Sequence, residues 1–171
     1  MSNVPLPPRD IETIVSVVGK FKQQALREGA VTGWWGNART HSGATGGCSW
    51  WASRVVGALE ADPRIANRYE FGIVWGLRNI AAAVVLTLSG TPTVPVPLPH
   101  FVAVIWPKGT DPNISGVYID AWQTETRYGP IRDFTFEYSW SLDCTPTIEH
   151  YTRQGEMQRI PLVKGNPWVL S

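Results

Sequence analysis

Thr45-Gly46-Gly47-Cys48-Ser49-Trp50-Trp51-Ala52-Ser53-Arg54 is where the chain passes from a polar, glycine-rich segment into a helix. Apolar residues at Trp51, Ala52, Val55, Val56 and Leu59 recur at helical spacing, so a helix is predicted over 49–60, stopping near Asp62-Pro63. Cys48 therefore stands at a helix start, where unpaired N–H groups and a partial positive charge favour thiolate over thiol. Gly47 and the glycines before it let the backbone approach a substrate closely and aim N–H groups at an anion. These are the conditions a nucleophilic cysteine needs. The bland alternative is burial, since free cysteine is among the residue types most often packed inside.

Upstream, residues 1–8 form a proline-rich lead. Asp10 is placed to cap a helix whose apolar positions are Ile11, Ile14, Val15, Val18, Phe21, Ala25 and Leu26. Gly29 is placed to end it, and Lys20, Gln24 and Arg27 fall on the solvated face. The long glycine-rich stretch 30–47 follows. A loop of that length inside a compact domain is usually functional or disordered, and its paired tryptophans argue for function. Trp34, Trp35 and Trp50 are candidates to stack on a substrate, although Trp50 and Trp51 serve equally well as core.

Downstream, Asp62 can cap a second short helix with Pro63 at its first position. Residues 71–88 read as a helix, with 84–88 equally able to form a strand. Four prolines within 90–99 make a stiff connector, after which the pattern becomes sheet-like. Strands are predicted at 100–106 and 116–122 about a turn at 107–113, with further strands at 134–140 and 159–164. Helices first and antiparallel strands second give an α+β architecture in one domain, 1–171.

A nucleophilic cysteine needs a base, and the base needs an orienting group. His100 opens the first strand and Asp120 lies at the far end of the second. In the simplest hairpin these two stand directly opposite, with Cβ atoms about 4.5–5.5 Å apart. A slip of one residue would put the carboxylate on the wrong face. Taken singly, a strand-end histidine and a strand-end aspartate have ordinary structural uses. Together with Cys48 they read as a triad.

Hydrophobic residues are 43% of the chain and charged residues 17%, which fits a compact fold. A net charge of +1 gives no reason to expect nucleic acid or an anionic membrane as partner. The apolar run at 80–88 is too short to span a bilayer as a helix. The first residues lack a basic segment followed by an apolar one. The expected location is therefore the cytoplasm of the producing cell, or outside it by a route without a cleaved signal. The two cysteines, Cys48 and Cys144, do not make a disulfide scaffold, though one bridge between them stays open. His41 and His150 have no metal-ligand spacing with each other or with the cysteines, so neither a metal nor another cofactor is expected. Glu125, Asp133 and Glu137 read as a solvated face rather than a glycosidase pair.

Gly47-Cys48-Ser49-Trp50-Trp51-Ala52 with Arg54 resembles the nucleophile motif of the cysteine, histidine-dependent amidohydrolase/peptidase (CHAP) family. His100-Phe101-Val102-Ala103-Val104-Ile105 is similar to the histidine strand of that family and of amidase effectors of type VI secretion. Tyr118-Ile119-Asp120-Ala121-Trp122 looks instead like the aspartate strand of transglutaminase-like enzymes and papain-like toxin deamidases. All belong to the papain-like class, and the resemblance covers 48–60 and 100–122. It implies a papain-like fold, with N-terminal helices packed on a C-terminal antiparallel sheet. It also implies an amide hydrolase in which Cys48, His100 and Asp120 form the triad. The Cys48 N–H would be one oxyanion donor, and Asn37, Thr40, His41 and Ser42 are candidates for the second. Ser42 stands nearest the place where papain carries a glutamine. The implied substrate is a peptide, foremost one of peptidoglycan, with a cognate immunity protein or a secretion-machine carrier as possible partners. The alternatives are a protein deamidase, protease or transglutaminase-type toxin, and a non-enzymatic tryptophan-rich binding module or immunity or adaptor protein.

Overall fold

The computed structural model describes residues 4–33, 46–77, 88, 99–138, 146–151 and 155–162. Helix α1 (Pro8–Arg27) begins on a proline, which loses nothing at a position whose N–H has no intrahelical partner. Asp10 is thus not the expected cap. Its carboxylate instead accepts from the Tyr69 hydroxyl and pairs with Arg68. Gly29, at a φ of 94°, carries the chain out of the helix as anticipated. Ile14, Val18 and Ala25 are buried, but Leu26, expected in the core, is 43% exposed, and Lys22 is buried in line with the apolar residues.

Helix α2 (Cys48–Glu60) has extended Gly47 as its N-cap and buries Trp51, Ala52, Val55 and Leu59. Asp62 then caps the short α3 (Pro63–Ala66), its side chain accepting from the Arg64 N–H at 3.0 Å. Strands β1 (Tyr69–Leu77), β2 (Pro99–Pro107), β3 (Val117–Asp120), β4 (Arg127–Pro130), β5 (Thr147–Tyr151) and β6 (Met157–Pro161) follow. They form one six-stranded sheet of order β4-β3-β2-β1-β5-β6. Every neighbouring pair is antiparallel. The short α4 (Pro112–Ser115), capped by Asp111, lies between β2 and β3, and α5 (Ile131–Tyr138) follows β4. The architecture is α+β. No helix among the described residues is long and apolar enough to cross a membrane.

Two expectations are overturned. Residues 69–77, within or beside the stretch read as helix, form β1. A continuous apolar run suits a helix or a strand covered on both faces equally well, and β1 is of the second kind. Phe71 packs toward α1 and α2, while Val74 packs on the opposite face. Residues 131–138, partly read as strand, are α5. The alternation of aromatics there is incidental, because Ile131, Phe134 and Tyr138 share one helical face and enter the core together. Strands β4 and β5 were not anticipated, and the last strand falls at Met157–Pro161 rather than 159–164.

The sheet thus has a core on each side. Trp51, Val55 and Leu59 of α2 and Ile14 and Val18 of α1 pack on Phe71, Ala103, Ile105, Val117 and Ile119. On the other side Phe134 and Tyr138 of α5 pack on Val74, Val102, Val104 and Tyr118. Alternation along β2 assigns its odd-numbered side chains to the first core and its even-numbered ones to the second.

Candidate active site

Strand β2 is longer than its neighbour β3. The pairing runs Ala103 with Ile119, Val104 with Tyr118 and Ile105 with Val117. Continued by one residue it sets Val102, not His100, opposite Asp120. The expected face-to-face placement of His100 and Asp120 is therefore corrected by two residues, because α4 takes up part of the connection where a symmetric turn was expected. A shift of two keeps both side chains on the same face, since strand side chains alternate with period two. The contact becomes diagonal, a span that long side chains bridge. His100 Nε2 lies 2.7 Å from Asp120 Oδ2, and both side chains are 5% exposed.

Beyond Asp120, β2 projects past β3 with β1 still beside it but no strand on the β3 side, and the two layers meet at this rim. The N-terminus of α2 arrives there with Cys48, which carries a free thiol and is half-buried. The thiol hydrogen-bonds His100 and also receives the N–H groups of Phe101 and Ser49. With Nε2 engaged by Asp120, Nδ1 is the ring nitrogen left for the sulfur.

The electrostatics follow from these contacts. Burial pushes the Cys48 thiol up, but the His100 hydrogen bond and charge, with the Phe101 and Ser49 N–H groups, outweigh it and leave the pKa lowered. Burial pulls the His100 imidazole down, while the Asp120 charge and hydrogen bond and the Cys48 contact raise it to about 9. Asp120 is likewise pushed up by burial and pulled further down by His100, Gln123 and Arg127. Thiolate and imidazolium are thereby favoured together.

The imidazole is held by rings as well as by charge. Trp122 and Tyr138 approach it with centroid distances of 5.2 and 5.1 Å. Gly76, the β1 partner of His100, has no room for a Cβ because the Tyr138 backbone fills that space. Gln123 Nε2 donates to Asp120 Oδ2 at 3.1 Å, whereas Asp120 Oδ1 and Trp122 Nε1 are buried without a hydrogen-bond partner among the described residues. Sequence reasoning missed Trp122, Gln123 and Tyr138. The first two follow Asp120 closely enough to have been suspected; Tyr138 carried no local signal.

The glycine-rich segment is tied to the site at its first described end. Gly33 N–H donates to Trp122 O at 2.7 Å, and Gly46, at a φ of 138°, lies against Val31. The expected substrate and oxyanion residues Trp34, Trp35, Asn37, Thr40, His41 and Ser42 lie outside the described residues, as does Cys144. Gly47 is the N-cap of α2. Trp50 is half-buried, edge-on to buried Trp51 and beneath the Arg54 guanidinium, so packing occupies much of its surface.

A separate cleft of about 670 Å³, lined in part by Glu70, Phe71, Lys108 and His150, lies at the opposite end of β1 and β2. His150 Nδ1 is bonded there to Phe71 O at 2.7 Å, a structural use. Among the described residues no group of three His, Cys, Asp or Glu side chains could hold a metal ion. Compared with known protein families, curated proteins and solved structures, the chain matches none.

Proposed function

We propose that this protein is a thiol-dependent hydrolase of an amide bond, papain-like in the arrangement of its triad. The observation that carries the reading is the buried 2.7 Å contact between His100 Nε2 and Asp120 Oδ2, with the Cys48 thiol on the remaining side of the ring. An acid–base pair that serves only packing has no need of an accessible thiol at a helix start.

In the proposed reaction the Cys48 thiolate attacks the amide carbonyl carbon, and the carbonyl π electrons move to oxygen. The oxyanion is met by the Cys48 N–H, one of the free donors of the first turn of α2. A second donor is sought among Asn37, Thr40, His41 and Ser42. The tetrahedral intermediate collapses, the C–N bond breaks, and the amine leaves with the proton from His100 Nδ1. Neutral His100 then takes a proton from water, whose oxygen attacks the thioester and releases the acid and the thiol. Asp120 stabilises the imidazolium and fixes the ring throughout.

The substrate class favoured is a peptide of peptidoglycan, on the resemblance of the Cys48 and His100 segments; the resemblance around Asp120 favours protein deamidation instead. Purified sacculi incubated with the protein and with its Cys48→Ala variant test the choice. Muropeptide fragments released by the parent alone support it. Intact sacculi together with ammonia release from a protein substrate would replace it with the deamidase. No thiol-dependent product from either substrate would favour a binding module.

A further inference from the structure

We propose that Lys22 is a positioning residue for the His100–Asp120 pair, acting from α1 through the segment 121–126. Its meaning for catalysis rests on the hydrolase reading above, but the linkage itself can be measured without a substrate.

Lys22 is only 8% exposed and sits on the inward face of α1 between Val18 and Ala25. Lysine is almost never buried this far unless its charge is met. Here Nζ donates to Gln123 O at 2.6 Å, Thr124 O at 3.1 Å and Thr126 Oγ1 at 3.1 Å. An ammonium has three protons to donate, and these acceptors account for all of them. An apolar residue would fill the same place at less desolvation cost. The lysine does more than fill it, because its three bonds converge on one short segment that has no sheet ladder of its own.

That segment carries the groups around the imidazole. Trp122 meets the His100 ring, and Gln123 Nε2 donates to Asp120 Oδ2, the same oxygen that His100 engages. Among the described residues Asp120 Oδ1 has no hydrogen-bond partner, so the carboxylate is oriented by what reaches Oδ2. Withdrawing Gln123 leaves His100 as the one hydrogen-bond partner of that oxygen among the described residues. Lys22 fixes the backbone of Gln123, Gln123 fixes Asp120, and Asp120 fixes His100. Lys22 and Asp120 also attract each other through space, and the other charges facing this chain of contacts are Glu125, near Lys22, and Arg127, near Asp120. A backbone tie of the segment to another element, Gly33 N–H to Trp122 O, lies on the far side of Gln123 from Thr126 and does not replace the lysine.

The test compares the parent with Lys22→Met and Gln123→Leu, which keep approximate size and remove the donors, and with the double variant. Two quantities are followed against pH: the ring titration of His100 by NMR, and the rate of Cys48 alkylation by iodoacetamide, read by peptide mass. Both single variants are expected to titrate His100 at lower pH than the parent and to slow alkylation near neutral pH about tenfold, one pKa unit of the coupled pair. The double variant is expected to be no worse than the more affected single one, because the two residues act in series. A folded Lys22→Met with both profiles unchanged and only a lower Tm overturns the proposal. Should Lys22→Met fail to fold, an unchanged profile in Gln123→Leu overturns it equally. His100→Ala is the control arm. If it leaves the alkylation profile of the parent thiol unmoved, the hydrolase reading fails, and the His100 titration in Lys22→Met still decides the linkage.

Discussion

His100 reaches Asp120 on a diagonal of the β2–β3 pair rather than straight across it, Nε2 to Oδ2 at 2.7 Å. The diagonal places the ring beyond the end of β3, where Cys48 at the start of α2 can meet its other nitrogen. A register that set the two residues opposite each other would have left a strand residue beside His100 at the rim. The site depends on β2 outrunning its neighbour.

Cys48 is expected to react as a thiolate near neutral pH, since the imidazolium and the Phe101 and Ser49 N–H groups overcome its burial. Brief treatment with iodoacetamide followed by peptide mapping should label Cys48 ahead of Cys144. His100→Ala should slow that labelling by about tenfold or more. Equal labelling of the two cysteines in the parent, or a bridge between them, would contradict this.

Asp120→Asn should lower the hydrolytic rate by about 10²- to 10⁴-fold, as amide-for-carboxylate exchange does when it spoils the tautomer and the charge beside a catalytic histidine. The active thiolate–imidazolium form persists from the lowered thiol pKa up to the imidazole value of about 9. The alkaline limb of the parent's pH profile should therefore lie near 9, and in Asp120→Asn it should move toward 6.5, the ordinary imidazole value. A limb that stays near 9 in the variant would show that Asp120 does not hold the charge.

The same pair should shape stability. A raised histidine pKa contributes stability that is complete below 6.5 and is lost as pH rises toward about 9. A lowered aspartate pKa contributes stability that is present above 3.8 and is lost as pH falls below it. The thiol of Cys48, lowered in the native state, changes in the opposite sense to the histidine over part of the alkaline window. Denaturant titrations of Cys48→Ala isolate the His100–Asp120 contribution. That variant should lose stability on going above pH 6.5, over a window closing below about 9 because the thiol no longer supports the imidazolium. His100→Ala in the same background should flatten the slope.

Gly76→Ala tests the ring packing behind His100. A methyl group there meets the Tyr138 backbone, so α5 must move or β1 must bend. The expected cost is about 1–3 kcal/mol in denaturant unfolding, the usual range for overpacking. Because Tyr138 lies against the imidazole, the His100 ring titration should shift as well. A stable variant with an unmoved titration would mean that Tyr138 does not constrain the ring.

Much of the local structure was legible from residue pattern alone. The helix from Cys48 followed from the spacing of Trp51, Val55 and Leu59, and the Asp62-Pro63 start from capping chemistry. The pairing of His100 with Asp120 was approachable because period-two alternation survives an error of two residues, though not of one. Lys22 was not foreseeable, since nothing within α1 announces that three acceptors a hundred residues away will meet its ammonium. The aromatic alternation at 134–140 misled for a related reason, because bulky residues fit either period when only one face of the element is read.

What the amino-acid sequence determined by itself was whatever depends on neighbours along the chain: the helix that opens at Cys48, the Asp62 cap of the next one, and the placement of His100 at the head of a strand. What only the tertiary structure decided was whatever depends on groups distant in sequence. The apolar run at Tyr69–Leu77 became a central strand because helices cover the sheet on both faces. The register of β3 was set by the capped turn Pro112–Ser115 rather than by residue alternation, which is indifferent to shifts of two. The charge on His100 is held against burial by Asp120 from the next strand and by a thiol from another layer, neither of which is encoded within a turn of the histidine itself.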